Sequence, residues 1–442
     1  MNDTSMFQSI EEKGFDLGQA MAEANRCLLC YDAPCSKGCP AETDPGTFIR
    51  KLRMRNVTGA IRTVKQNNVL AGACGVLCPT SELCEKECSA TGIDRAIQIG
   101  KIQRFLIEHS WALGFKVFEK PAPRKEKVAV VGSGPAGLSC AGELAKGGFQ
   151  VTVFEVFPEA GGIIRYGVPS YRFNRSFLEH ELADLNELGV HFQCSSPIQG
   201  KEGAEKLLKE GFQAVFLAPG LWAPLLLKEA APSLRGFFTA TEFLARLREE
   251  RFAELAPYIR GKQVAVVGGG SVAIDCVESS LKLGAQDVYL VYRRSWAQMP
   301  AEEQERVRAE RQGAQFLLLN QPVDYQADGS GLKGLKLRRT RLGEPDASGR
   351  RKPVEIPGSD WVLPVETVIE AIGSKPAPEA RQWYPRVKVD GRGLIVAAAD
   401  TGATSVKGIF AGGDIVRGPA LVVQAVQDGK KAARAMREFL SK

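Results

Sequence analysis

The chain has 442 residues, of which 44% are hydrophobic and 25% are charged, and its formal net charge is +7. This is the composition of an ordinary globular protein, and the length is enough for about three domains. No apolar run approaches the roughly 20 residues of a membrane-spanning helix, and the basic residues form neither a basic helix nor an aromatic–basic stripe. We therefore expect no membrane and no nucleic acid among its partners. The N-terminal stretch MNDTSMFQSIEEKGFDLG has no apolar signal core, which predicts a cytoplasmic protein.

Eight of the eleven cysteines lie between Cys27 and Cys88, in two compact sets of four. The sets read Cys27-x2-Cys30-x4-Cys35-x3-Cys39-Pro40 and Cys74-x3-Cys78-Pro79-x4-Cys84-x3-Cys88. Short cysteine gaps closed by Cys-Pro are similar to the bacterial ferredoxin pattern, although the gaps differ. Zinc ribbons usually have two separated Cys-x2-Cys pairs, of which only one is found here, and disulfides require an oxidising compartment. The spacing therefore favours iron–sulfur clusters over zinc and over disulfides.

Two groups of residues outside these sets are predicted to be structural. The remaining cysteines are isolated, and we predict that they are small buried apolar residues: Cys140, Cys194 and Cys276. The three histidines lie outside every motif, so we predict surface or packing roles for them and no catalytic base: His109, His180 and His191. The Pro-rich charged segment 116–127 is predicted to be a linker.

The first glycine-rich turn follows that linker. A short buried strand, Val128 to Val131, leads into Gly132-x-Gly134-x-x-Gly137, then a helix over Leu138 to Lys146 and a second strand, Gln150 to Phe154, ending at Glu155. The glycines allow a tight turn and close approach of a pyrophosphate to a helix N-terminus, and the acid is placed to bind an adenosine ribose. The complete strand–turn–helix–strand–acid order predicts a dinucleotide site.

The second turn has the same backbone pattern and a different strand end. The strand Val264 to Val267 precedes Gly268-x-Gly270-x-x-Ala273, an allowed variant with Ala at the third position. The next strand, Val288 to Tyr292, ends in Arg293-Arg294. Guanidinium groups suit the 2′-phosphate of NADPH, whereas an acid would favour NADH, although a solvated basic loop remains an alternative.

Two further glycine pairs have the position expected near a flavin. Gly161-Gly162 follows the first unit, and an apolar strand near the C-terminus ends in Gly412-Gly413-Asp414, before a helix predicted from about Ala420. Asp414 offers an acid for a ribityl hydroxyl, and the helix offers an N-terminus for phosphate or the flavin ring edge. The order of these features predicts FAD in the first unit and a nicotinamide in the second.

Together these residues resemble the flavoprotein module shared by the glutamate synthase small subunit and the N-terminal half of dihydropyrimidine dehydrogenase. The resemblance runs along nearly the whole chain. The stretches RCLLCYDAPCSKGCP, CGVLCPTSELCEKEC and IQIGKIQRF look most like dihydropyrimidine dehydrogenase, in particular the NAD(P)H-oxidising subunit of the bacterial enzyme. The run RGPALVVQAVQDGKKAA and the strand end Tyr292-Arg293-Arg294 look more like glutamate synthase.

The resemblance implies cluster ligands that spacing alone would not choose. One 4Fe–4S cluster would be held by Cys27, Cys30, Cys35 and Cys88. The other would be held by Cys39, Cys78, Cys84 and Gln103. Spacing alone favours Cys74 in place of Gln103, and the resemblance leaves Cys74 as a buried thiol.

It also implies the nucleotide-site positions. Those of FAD are Gly132, Gly134, Pro135, Ala136, Gly137, Glu155, Gly162, Arg172, Gly413 and Asp414. Those of NADPH, or NADH, are Gly268, Gly270, Ser271, Ala273, Arg293 and Arg294. The chain departs from the family at Leu421-Val422, where dihydropyrimidine dehydrogenase has a Thr pair. It also departs at Ser271, where Asp is frequent, and lacks a basic residue near Pro300.

The expected fold is α/β, with a helical iron–sulfur domain at 1–122 followed by two Rossmann-like domains. The FAD domain would comprise 123–224 and 372–442, and the inserted NAD(P)H domain 225–371. The expected activity is electron input: NAD(P)H reduces FAD, and two 4Fe–4S clusters pass electrons to a partner. That partner would be an FMN- and iron–sulfur-containing TIM-barrel subunit that reduces uracil or thymine, in a hetero-oligomer. The alternatives are a glutamate synthase small subunit, a stand-alone NAD(P)H:acceptor oxidoreductase and a non-enzymatic iron–sulfur sensor.

Overall fold

The computed structural model describes residues 13–329, 331–346 and 349–441. Most of the N-terminal stretch considered for a signal core, residues 1–12, lies outside the described residues. The chain forms two compact units. Of the described residues, one unit comprises Tyr166–Tyr171 and Trp222–Ser374, and the other comprises 13–165, Arg172–Leu221 and 375–441.

The region before the first strand consists of short helices joined by loops, and side-chain caps help to start several of these helices. Asp16 accepts a hydrogen bond from the Gln19 backbone N–H at 2.7 Å, and Asn56 accepts one from that of Gly59 at 2.9 Å. Phe48, Ile61 and other apolar residues of these helices form one buried core. The helices are α1 (Leu17–Asn25), α2 (Pro34–Lys37), α3 (Pro45–Arg53), α4 (Val57–Asn67), α5 (Ala71–Leu77) and α6 (Ile99–Ala112), with 3₁₀ turns at Thr80–Glu82 and Ser89–Gly92.

A parallel five-stranded sheet follows in the same unit. Its first strand is buried throughout after Lys127, as a central parallel strand must be. The strands are β1 (Lys127–Val131), β2 (Gln150–Phe154), β3 (His191–Gln193), β4 (Ala214–Leu217) and the C-terminal Ile409–Ala411, which becomes β15 in chain order. Their order across the sheet is β15-β4-β1-β2-β3. The helices of this part before the inserted segment are α7 (Pro135–Ala145), α8 (Gly162–Tyr166), α9 (Arg175–Glu187) and α10 (Glu205–Lys209).

The inserted segment forms a second parallel sheet and an antiparallel one. Its strands are β5 (Ala223–Pro224), β6 (Phe237–Thr239), β7 (Gln263–Val267), β8 (Asp287–Tyr292), β9 (Gln315–Leu318), β10 (Asn320–Asp328), β11 (Gly331–Pro345), β12 (Arg351–Leu363), β13 (Thr367–Glu370) and β14 (Ser374–Lys375). The parallel order is β6-β13-β7-β8-β9, the antiparallel order is β10-β11-β12, and β5 pairs with β14. The helices are α11 (Ala240–Arg248), α12 (Phe252–Ile259), α13 (Ser271–Lys282) and α14 (Glu303–Arg311). The chain then returns to the first sheet through α15 (Ala380–Trp383), α16 (Asp414–Arg417) and α17 (Val422–Leu440).

The predicted fold class is confirmed: helices come first, and two Rossmann-like parallel sheets follow. The predicted strands agree to within one residue, and the helix predicted from about Ala420 begins at Val422. The antiparallel sheet was not predicted. Among the helices of the described ranges, none is both long enough and apolar enough to cross a membrane.

Candidate functional site

Four cysteines from distant parts of the helical region line one cavity. They are Cys27 and Cys30 from the loop after α1, Cys35 on α2, and Cys88 at the start of a 3₁₀ turn. The backbone N–H of Ile97 donates to Cys88 Sγ at 3.5 Å. We call this space the first cavity. It brings together the four thiols that the family resemblance implies for one cluster.

The other cysteines of the two sets line a second cavity together with Gln103. These cysteines are Cys39, Cys74, Cys78 and Cys84. Gln103 is buried on α6, and its Nε2 donates to the Ala71 carbonyl at 2.7 Å. With Nε2 engaged, Oε1 is the amide atom that could bind a metal. The structure therefore brings both candidates for the eighth ligand, Gln103 and Cys74, to the same cavity.

A buried acid fixes the helix that carries Cys74 and ends just before Cys78. Glu181 of α9 accepts hydrogen bonds from the backbone N–H groups of Gly72 at 2.7 Å and Ala73 at 3.1 Å. These are unpaired donors at the start of α5, so the acid satisfies groups that the helix itself leaves open. Burial raises the pKa of Glu181 well above its usual value. The sequence offered no signal for this contact, because Glu181 lies far from the cysteines in the chain.

The buried surroundings of these cysteines favour neutral thiols unless a cationic group is bound. Burial raises the pKa of Cys35 to about 11 and also raises that of Cys84. The hydrogen bond to Cys78 lowers the pKa of Cys74, with a smaller contribution from the Lys430 ammonium, and the same bond and burial raise that of Cys78. Thiolates at such positions need the positive charge of bound metal. Within the described residues no three Cys, His, Asp or Glu side chains are placed to hold a single metal ion.

The first glycine-rich turn has a geometry that larger residues would not allow. Gly132 has φ +95°, and a Cβ there would lie 2.3 Å from the Ala218 carbonyl oxygen. A Cβ on Gly137 would lie 2.0 Å from the Gly132 carbonyl oxygen, and one on Gly162, at φ +52°, 2.6 Å from Gly134 Cα. A Cβ on Gly134 would meet nothing within 4 Å. The inner side of the turn, at Gly132, Gly137 and Gly162, is therefore closed to side chains, whereas the backbone at Gly134 is open. We call this opening the cradle, because it lets a pyrophosphate approach the backbone.

The start of α7 lies at this open position. Pro135 is the first residue of the helix, where its missing N–H costs nothing, and the next residue, Ala136, is buried. Gly413, at φ +76°, approaches so closely that a Cβ there would lie 2.9 Å from the Ala136 Cβ. Ala136 and Gly413, two predicted FAD positions that lie far apart in the sequence, are therefore neighbours in the structure.

Glu155 binds the turn itself. Its Oε2 accepts from the backbone N–H of Ser133 at 2.9 Å and from the Ser133 hydroxyl, and its Oε1 accepts from the Phe157 N–H at 3.0 Å. The Ser133 hydroxyl in turn accepts from the Gly161 N–H at 2.9 Å. Ser133 therefore links the first turn to the Gly161-Gly162 loop. Ser133 was not among the predicted site residues, although a hydroxyl inside the glycine motif was a visible signal.

Asp414 starts α16 and is half-buried. Burial raises its pKa to about 7, against the hydrogen bond from the Ala420 backbone and the positive charge of Arg417. Asp428 of α17 accepts from the Gly413 N–H and from Arg417 Nε, each at 2.9 Å, and fixes the turn that carries Asp414. The sequence pattern did not indicate this role for Asp428. The implied FAD position Arg172 is half-buried.

The second turn repeats the first. Gly268 has φ +150°, and a Cβ there would lie 2.4 Å from the Ala371 carbonyl oxygen, whereas one on Gly270 would meet nothing within 4 Å. Ser271 is the first residue of α13, and Ala273 is fully buried beneath Gly268. The same closed inner side and open cradle are present.

The two arginines after β8 have different surroundings. Arg293 is exposed. Arg294 is 6% exposed, and it donates through Nη2 to Asp346 Oδ2 and through Nε to the Arg351 carbonyl oxygen, both at 2.8 Å. Arg294 is therefore engaged with the protein, and of the predicted pair Arg293 is the one presented at the surface.

The isolated residues follow their predictions with one exception. Cys140 and Cys276 are buried, but Cys194 is half-exposed, because it follows the short edge strand β3, so the prediction of burial was wrong there. His109 stacks on Phe105 with ring centroids 5.2 Å apart, and His180 stacks on Trp111 at 4.6 Å, whereas His191 is exposed.

Two known families match the chain in succession. Residues 4–115 match the family described as dihydropyrimidine dehydrogenase domain II, 4Fe-4S cluster, and residues 126–429 match pyridine nucleotide-disulphide oxidoreductase. Among solved structures, Mycobacterium tuberculosis FprA in complex with NADPH superposes with a TM-score of 0.61 at 19% identity, over 72% of this chain and 85% of that one. That likeness shows the fold.

Curated relatives match along almost the whole chain. NADP(+)-dependent formate dehydrogenase subunit beta of Moorella thermoacetica is 37% identical over 97% of this chain, which spans only 63% of that protein. The NAD-dependent dihydropyrimidine dehydrogenase subunit PreT of Salmonella typhimurium is 34% identical, over 97% of this chain and 96% of its own. The glutamate synthase [NADPH] small chain of Escherichia coli is 32% identical, over 96% and 92%. The chain belongs to the pyridine nucleotide-disulphide oxidoreductase family, among its NAD(P)H-dependent flavin and iron–sulfur electron-transfer subunits.

Proposed function

We propose that the chain takes a hydride from NAD(P)H onto FAD and passes electrons through two 4Fe–4S clusters to a partner subunit that reduces uracil or thymine. The observation that carries this proposal is the pair of cysteine-lined cavities in the helical region. The first offers four candidate ligands and the second offers five, and the cysteines of each cavity come from both cysteine sets. The equal span of the PreT relative supports the pyrimidine assignment.

We assign the first cavity to one cluster, through Cys27, Cys30, Cys35 and Cys88, and the second to another. In the second cavity the ligands we propose are Cys39, Cys78, Cys84 and Gln103. We also propose the domain bounds 1–122, 123–224 with 372–442, and 225–371. The buried Cys74 thiol, hydrogen-bonded to Cys78, then positions a ligand without being one.

The residues of the two turns bind and orient. When bound, the flavin and the clusters supply the conversion between two-electron and one-electron chemistry. Gly132, Gly134 and Gly137 admit the pyrophosphate of FAD, and Glu155 and Ser133 hold the turn in the shape that accepts it. Because the pKa of Asp414 is raised to about 7, its carboxyl group beside the cradle can give or accept a proton near neutral pH. Gly268, Gly270, Ser271 and Ala273 form the nicotinamide cradle.

We assign the 2′-phosphate of NADPH to Arg293. This residue is exposed at the end of β8, where the adenosine ribose of a bound dinucleotide lies in such folds. Arg294 is bound to Asp346, and we give it no direct contact with the phosphate. NADH is the alternative, because a single exposed arginine is a weaker anion site than a pair.

An anaerobic pull-down of the tagged chain from its native host tests the proposal, with mass spectrometry of proteins recovered in stoichiometric amount. Recovery of an FMN-containing barrel subunit, with NAD(P)H-dependent uracil reduction by the complex, is the expected result. Recovery of a large glutamate synthase chain would overturn the pyrimidine assignment. That second candidate is favoured by the glutamate synthase small chain of almost equal span. Recovery of the chain alone, with turnover of a soluble acceptor, would overturn both.

A further inference from the structure

One buried lysine of the last helix lies against the loop that follows Cys39. Lys430 of α17 is 7% exposed. Its Nζ donates to the carbonyl oxygens of Ala41 at 2.6 Å and Asn67 at 2.8 Å. The nearest carboxylate oxygen, on Glu42, is 3.4 Å away. Lysine is rarely buried without a partner that balances its charge, so the surroundings of this ammonium need a reason.

The charge of Lys430 is only partly balanced. Glu42 is 53% exposed, and its carboxylate also binds Arg434 through two hydrogen bonds. The other two contacts of Lys430 are neutral carbonyl groups. The ammonium therefore keeps much of its field, and in a buried site that field is weakly screened.

The second cavity lies beside this ammonium. Ala41 stands between Pro40 and Thr43, which both line the cavity. Asn68, next to the second carbonyl, donates to Thr43 Oγ1 at 3.4 Å. Val423, two turns before Lys430 on the same face of α17, is itself part of the cavity lining. The lysine thus reaches the loop of Cys39 from the helix that closes the cavity.

We propose that Lys430 is a positioning residue whose charge raises the reduction potential of the cluster in the second cavity while its hydrogen bonds hold the Cys39 loop. The inference rests on the proposed function, because it requires a cluster there. Reduction adds one negative charge to a cluster, and a nearby cation stabilises the reduced form. The first cavity, which Lys430 does not contact, should not respond.

Lys430→Gln, Lys430→Arg and Lys431→Gln separate charge from hydrogen bonding. The glutamine amide has two N–H donors and no charge, on a side chain one atom shorter, and arginine keeps the charge. Lys431, the neighbour on α17, is half-exposed and is the matched control. Each full-length protein would be purified anaerobically, assayed for iron, and titrated with dithionite under electron paramagnetic resonance to obtain a midpoint potential for each cluster.

Lys430→Gln should keep its iron and shift one of the two midpoint potentials to a more negative value, several-fold further than Lys431→Gln does. Lys430→Arg should stay near the wild type. Unchanged potentials in Lys430→Gln would overturn the inference. Loss of half the iron in Lys430→Gln, together with full iron in Lys430→Arg, would also overturn the inference, because Lys430 would then have only a structural role. A wild-type chain without two clusters would instead overturn the proposed function.

Discussion

The nucleotide turns and the cysteine cavities are specified by the sequence in different ways. Each turn is made within one βαβ unit, and the carbonyl that closes it comes from the end of a neighbouring strand. Each cavity instead takes residues from the start and the end of the helical region, as Cys27 and Cys88 show. A turn is therefore specified by backbone sterics at a few positions, whereas a cavity depends on how several helices pack.

The largest expected effect is the loss of the cluster in one cavity while the cluster in the other is retained. Cys88→Ser should remove about half of the bound iron, because it takes one thiolate from the first cavity. Cys74→Ser, in the second cavity, should leave the iron content unchanged if Gln103 is the ligand. Iron and sulfide analysis of anaerobically purified protein measures both. Loss of one cluster in Cys74→Ser would assign the eighth ligand to Cys74.

The two turns differ at the third position of the glycine motif, which is Gly137 in the first turn and Ala273 in the second. Gly137→Ala puts a Cβ 2.0 Å from the Gly132 carbonyl oxygen, so we expect a protein that has lost its flavin and about 1–3 kcal/mol of stability. The reverse change at the matching position, Ala273→Gly, should cost only about 1 kcal/mol from helix propensity and keep the flavin. The flavin-to-protein absorbance ratio and thermal unfolding distinguish them. Full flavin content in Gly137→Ala would show that the turn can open.

The strand ends give a smaller effect on nucleotide choice. Arg293→Ala should raise KM for NADPH about ten- to a hundredfold and leave KM for NADH nearly unchanged, because a charged hydrogen bond to phosphate is worth about 1.5–3 kcal/mol. Arg294→Ala should raise KM for NADPH less, since that side chain is bound to Asp346. Steady-state kinetics with both nucleotides provide the measurement. Equal increases for NADPH and NADH in Arg293→Ala would contradict a 2′-phosphate role.

The smallest effect concerns pH. The pKa of Asp414 is raised from 3.8 to about 7 in the folded chain, so its protonated form adds stability that is fully present below about pH 3.8. That stability is lost as pH rises through about 7, and Asp414→Asn should not show the loss. Urea unfolding of flavin-free protein at several pH values measures the difference. Parallel pH profiles for the two proteins would show that Asp414 ionises without cost.

Local chemistry explains which features could be predicted from the sequence. The turns and their strands follow from the local order of apolar and glycine residues, so the strand bounds were predicted to within one residue. The grouping of Cys88 with Cys27 could not be obtained from spacing and needed the family resemblance. Asp428, Glu181 and Asp346 act through contacts with residues that are distant in sequence, and nothing local marked them, whereas Ser133 was marked only by its place inside the glycine motif. The engagement of Arg294 was hidden for the same reason.

The last helix has a consequence for how such proteins can be recombined. Asp428 of α17 holds the Gly413 turn, and Lys430, two residues later, holds the loop after Cys39. A chain that stopped before Val422 would lose both attachments at once. We therefore expect a chimera that receives the iron–sulfur region of another family member to need the C-terminal helix of the same parent wherever that helix lacks a lysine at the position of Lys430.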